Sequence, residues 1–129
     1  MLDIKTIGPR NLAFVLSEQE GNGEISREVV TILSGAGKLE PGSVLGQVTA
    51  SKKYILSPNA QVVGKEGAET ASAILAYEVD ATSADVDAVV IKRIAAVKKS
   101  MLIYDASVND DTKKAAKLAQ LVAVDIIAR

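Results

Sequence analysis

SREVVTILSGAGKLEPGSVLGQV, residues 26–48, decides the fold class of this 129-residue chain. Glu28–Leu33 is rich in Val, Ile and Thr, residue types that suit a pleated, half-buried surface. Ser34-Gly35-Ala36-Gly37-Lys38 breaks that run. Glu40-Pro41-Gly42-Ser43 then forms a turn: Pro presets φ near −65° at the second position, and Gly accepts a positive φ at the third. Ser43–Thr49 resumes as a strand, with Val44 and Val48 on one face and Leu45 and Gln47 on the other. The stretch is strand, turn, turn, strand, and Pro41 and Gly42 are its structural turn.

Outward from it, the chain reads as more short strands. Lys52–Ser57, Ala71–Val79 and Ala88–Arg93 are β-rich runs, separated by the glycine-broken loop 59–70 and the acidic link Asp80–Asp87. Ile94–Met101 suggests a turn or two of helix, and Leu102–Tyr104 a further short strand. The clearest helix starts near Asn109, read as its cap, and ends near Ala123. Its buried stripe is expected at Ala115, Leu118, Ala119 and Val122, with Lys113, Lys114 and Lys117 on the polar side. Alternation returns in Val122–Ala128, and a terminal strand is expected to close the sheet. With no alternation of strands and helices, the fold class is mainly β: a small mixed sheet or partly open, clip-like barrel with one C-terminal helix and a short helical turn.

Residues 1–25 read as a flexible N-terminal arm and residues 26–129 as a single domain. Gly8-Pro9 breaks any early element, and Asn11–Leu16 is a short apolar piece around Phe14. Gly21-Asn22-Gly23 is a hinge or turn. Two readings stand for the apolar piece. It folds back as an edge strand of its own domain, or it pairs with another chain by strand addition.

Composition excludes several chemistries. The chain has no Cys and no His, so it has no disulfide framework, no Cys/His zinc site and no imidazole-based nucleophile pair. Gly35-Ala36-Gly37-Lys38 lacks the glycine and the Ser/Thr that a phosphate loop needs around it. Asp80, Asp85 and Asp87 do not follow an EF-hand spacing. No metal, cofactor or enzymatic activity is expected. A net charge of −1 gives no electrostatic case for nucleic acid. No apolar stretch approaches the ~20 residues of a membrane span, and MLDIKTIGPR, without a basic region followed by a long apolar run, is not expected to act as a signal peptide. The charges are uneven, however. Residues 92–117 carry seven basic and three acidic groups, which makes either a solvated basic face or a contact surface for an acidic partner.

Several pieces together carry a resemblance. They are Phe14-Val15-Leu16-Ser17-Glu18 with Gly23, Ser26–Thr31, Leu39–Gly46, Lys53-Tyr54, Gly67–Leu75, Asp87–Arg93, Val97 with Leu102, and the closing helix with Leu121 and Ile126-Ile127. In this order and spacing, over roughly residues 14–128, the chain resembles the head decoration protein family of tailed bacteriophages, the group that includes the lambda head decoration protein D. The resemblance implies a β-clip-like fold and a homotrimer. It implies docking on the exterior of the expanded head, on the major capsid protein, at three-fold and quasi-three-fold positions. There the trimer stabilises the lattice against DNA pressure. Synthesis in the host cytoplasm and residence on the virion follow. The arm would order on the capsid, through Leu12, Ala13, Phe14, Val15, Leu16, Ser17 and Glu18. The sequence departs from the family at two places. Asp125 stands where members often carry Gly before the closing Ile-Ile, and Asp tolerates the left-handed conformation better than most residues. The lambda protein's own arm differs from the Phe14–Glu18 type. The alternative readings are a small ligand-binding clip or barrel domain, with a polar pocket in one protomer, and a carboxylate-dependent hydrolase.

Overall fold

The computed structural model describes residues 12–18 and 26–129, with only the backbone described at Ser17 and Glu18. Its elements in chain order are β1 (Val15–Glu18), β2 (Arg27–Ile32), β3 (Gly37–Leu39), β4 (Val44–Gln47), β5 (Tyr54–Leu56), β6 (Ala71–Leu75), β7 (Val79–Ala81), β8 (Val86–Ile91), β9 (Ala95–Val97), a 3-10 turn (Lys99–Met101), the helix α1 (Asp111–Val122) and β10 (Ile126–Ala128).

Five strands close a barrel in the order β2-β5-β4-β6-β8. The long seam is β2 against β8, antiparallel from Arg27 opposite Ile91 to Ile32 opposite Val86. The closing seam is short, a single parallel pair between Ile32 and Tyr54. Between β3 and β4, Ser43 N donates to the Glu40 carbonyl at 3.2 Å and Gly42 has φ +95°. That is a type II turn with Gly where a positive φ is required. Gly42 also lies beneath the 3-10 turn: a Cβ there would stand 2.6 Å from the Met101 carbonyl oxygen.

The wall β4-β6-β8 is apolar on both sides, because strand side chains alternate. Inward, Leu45, Ala73, Leu75 and Val90 meet Ile32 and Tyr54 in the barrel core. Outward, Val44, Ile74 and Ile91 meet Phe14, Val97, Leu102, Leu121 and Ile126 in a second core. A three-stranded sheet in the order β1-β9-β10 and the helix α1 cover that second core.

Several details differ from the sequence reading. The barrel is closed rather than partly open. Gly37-Lys38, read as part of a turn, form β3 with Leu39 and pair antiparallel with the distant strand β7. The run 71–79 is two strands with a break at 76–78. Ile94–Met101 is not mainly helical. Ile94 takes a left-handed φ of 51°, the Ser26 hydroxyl donates to its carbonyl at 3.0 Å, and β9 follows, paired on both sides by β1 and β10. Only Lys99–Met101 makes a 3-10 turn. Leu102–Tyr104 reduces to one parallel bridge between Ile103 and Ser43. Asp125 has φ +62°, the left-handed conformation that Asp accepts more readily than most residues.

The helix is capped by Asp110, one residue after Asn109, its side chain accepting from Lys113 N at 2.8 Å. Its buried face is also rotated from the expected one. Leu121 and Lys117 are buried and Leu118 half-buried, while Ala115, Ala119 and Val122 lie outside.

Candidate docking surface

Phe14 sits at the start of the strand from which the candidate site is built. Leu12 N donates to the Ala76 carbonyl at 3.1 Å, Val15 N to the Leu12 carbonyl at 3.0 Å, and Lys98 N to the Phe14 carbonyl at 2.6 Å. These bonds turn Phe14 inward, where it is 1 % exposed. Val15 then pairs with Val97, and Ser17 and Glu18 pair with Ala96 and Ala95, with a bulge at Leu16. Of the two readings left open for the apolar piece, the structure has the strand folded back on its own chain. Residues 15–18 are thus tied to β9 by backbone pairing. The rest of the segment 1–25 lies outside the described residues.

This arrangement separates the predicted arm residues. Phe14 is core, and Leu12, Ala13 and Val15 are half-buried. Leu16, at the bulge, is 47 % exposed. β1 is an edge strand, so one side of its backbone has no strand partner among the described residues. On the other edge of the sheet, Ile127 is 48 % exposed and pairs with Ala96. The sheet therefore shows a small apolar outer face next to an open edge, which is what strand addition uses. Pro41 is buried beside Gly42, and neither belongs to this surface.

The three aspartates considered for a cation go separate ways. Asp80 accepts from Thr82 N at 3.0 Å. Asp85 accepts from Ser34 N at 2.7 Å and pairs with Lys53. Asp87 accepts from the Thr31 hydroxyl at 3.1 Å. The Lys53 ammonium, with the Ser34 N–H, holds the Asp85 carboxyl below the usual range. No group of three or more metal-ligating side chains occurs among the described residues. Lys38 of the glycine-rich turn pairs with Glu78 at 3.0 Å. Among the described residues no helix is long and apolar enough to cross a membrane. The barrel interior is a packed apolar core, not the polar pocket a ligand-binding domain would need.

The sequence reading missed Lys117. Its side chain is buried, and the carboxylates of Glu69 and Asp105 act on it only at a distance, without a salt bridge. Nζ donates to the Ser57 hydroxyl at 3.0 Å, to the Pro58 carbonyl at 2.6 Å and to the Glu69 carbonyl. The Ser57 hydroxyl in turn donates to the Ala68 carbonyl at 2.8 Å. One ammonium thereby joins α1 to both ends of the loop 57–70. Its three protons meet three oxygens, which is how a lysine read on the polar side stands on the buried face. Burial pushes its pKa down from 10.5.

Replacing it by Met keeps the volume but strands three acceptors, so Lys117→Met is expected to cost about 2 kcal/mol in urea unfolding. The pH sign is also fixed. Between the lowered folded pKa and 10.5 the unfolded state holds more protons, so this group's contribution rises with pH. The stability gap between wild type and Lys117→Met should widen as pH rises through that window. A gap that narrows would contradict the burial.

The described residues thus form a small β barrel faced by a three-stranded sheet with an open edge. The sequence model of the family described as bacteriophage lambda head decoration protein D matches residues 4–126. The chain belongs to that family. The family is a structural one and supports a role in capsid decoration, with a place on the virion capsid. No curated protein matches the chain.

Proposed function

We propose that this protein binds as a homotrimer to the exterior of an expanded tailed-phage head and stabilises the major capsid protein lattice against internal DNA pressure. The family match over residues 4–126 is the observation that carries this reading. The protein acts by binding alone, without catalysis, and is made in the host cytoplasm. Leu12–Glu18 provides its capsid contact. Phe14 anchors the strand, and Leu16 and the open backbone edge of β1 face the capsid. The chain is 3 % aromatic, so no large ring is available as a hot spot at that face. Three such edges engaging at once supply avidity, because the second and third bind at high effective concentration.

Light scattering on the purified protein should give a trimer. The protein should co-sediment with expanded heads lacking their own decoration and leave unexpanded heads bare. A monomer at every concentration, or expanded heads that stay bare, would contradict the proposal.

A further inference from the structure

Beside the sheet, the 3-10 turn, the segment after it and the first turn of α1 enclose an open groove of about 730 Å³. Lys99, Lys114 and Arg129 line it, with Asp111 as its one acid, over an apolar floor of Leu102, Tyr104 and Ala115. The cations come from three separate parts of the chain: the 3-10 turn, α1 and the residue after β10. Backbone bonds fix two of them: Arg129 N donates to the Val97 carbonyl and Lys99 N to the Arg129 carbonyl, each at 2.9 Å. Lys114 lies 5.6 Å from the centre of the Tyr104 ring, whose hydroxyl pKa is raised by burial. None of the three cations stands in an ion pair among the described residues. Elsewhere on the surface, Lys38, Lys53, Lys92 and Arg93 are each paired with a carboxylate. Among the described residues, this concave place gathers three unpaired cations around a single acid.

We propose that this groove receives an acidic peptide segment of another protein, with alternating carboxylate and apolar side chains. Charge complementarity sets the sign of the ligand. The apolar floor sets its kind, since an extended peptide turns alternate side chains to opposite sides and meets cations and floor in turn. A single phosphate is far smaller than the groove and leaves the floor bare. A nucleic acid needs a longer basic track than three cations, on a chain whose net charge is −1. The groove adjoins the Phe14 strand through the Lys98–Phe14 bond, so a partner lying along β1 can reach it.

The test uses the full chain, isotope-labelled, and no heads, so its outcome is separate from that of head binding. The probe is a blocked octapeptide of alternating Glu and Leu, titrated in parallel with its Gln-Leu counterpart and with an eight-nucleotide thymidine strand. Expected are amide shifts concentrated at residues 99–104, 111–115 and 129, with the Glu peptide only. Lys99→Gln with Lys114→Gln should weaken binding about tenfold, as two exposed charge pairs are lost. The variant's unchanged shifts outside the groove report that it is folded. If it does not fold, Arg129→Gln takes its place with an expected loss of about threefold. Shifts spread evenly over Lys38 and Lys52-Lys53, an equal response to the Gln peptide, tighter binding of the thymidine strand, or unchanged affinity in the variant would each overturn the proposal.

Discussion

Phe14→Ala should lower the unfolding free energy by about 4 kcal/mol, the usual cost of emptying a fully buried aromatic site. For a chain of this size that corresponds to a fall in melting temperature of roughly 15 °C. Phe14 is 1 % exposed and packs with Val44, Ile74, Ile91, Val97, Leu102, Leu121 and Ile126. Those residues come from the barrel wall, the three-stranded sheet, the segment after the 3-10 turn and the helix. No one element can close the space that the ring leaves. Leu16→Ala, two residues on and half exposed, should change stability by no more than about 0.5 kcal/mol. Urea unfolding of both variants gives the comparison. If the two cost the same, the strand does not pack in solution as described. The contrast also bears on function. Leu16→Ala is the variant that can weaken head binding while leaving the fold intact, whereas Phe14→Ala mixes the two effects.

The second large effect lies at Gly46. A Cβ there would run into the backbone of Ala68, at its carbonyl oxygen, carbonyl carbon and Cα. Backbone cannot swing aside as the tip of a side chain can. The Ala68 carbonyl accepts from the Ser57 hydroxyl, which itself takes the Lys117 ammonium. Moving Ala68 therefore pulls on the bonds that join α1 to the loop. Gly46→Ala is expected to cost about 4 kcal/mol, overpacking plus part of that network. The double variant Gly46→Ala with Lys117→Met should cost less than the sum of the two, because both damage the same bonds. Strict additivity would show that the glycine and the lysine are not coupled.

Much of the fold was legible because its signals are local. Val, Ile and Thr runs mark β2 and β8, and Pro41-Gly42 marks a turn whose expected positive φ the structure has at Gly42. The helix was legible as a helix, but not its buried face. Ala115, Ala116 and Ala119 give a weak periodic signal, so the rotation is decided by Leu118, Leu121 and the oxygens awaiting Lys117. Those oxygens lie 48 to 60 residues away in sequence, beyond the reach of any local pattern. β3 was missed because three residues containing a glycine look like turn until β7 pairs with them. The candidate site was legible in position but not in role. The apolar hexamer around Phe14 has the same composition whether it serves its own domain or another chain. Only the contacts with Val97 and Ile126 separate core from surface within it. The basic excess over residues 92–117 was visible, whereas its gathering into one groove needed Arg129 from the far end of the chain.

Cryo-electron microscopy of expanded cognate heads incubated with the full-length protein is the most direct measurement. The account predicts trimeric density on the outer surface at the three-fold and quasi-three-fold positions, with β1 against the major capsid protein. Heads without added density, or density on the inner surface, would contradict it.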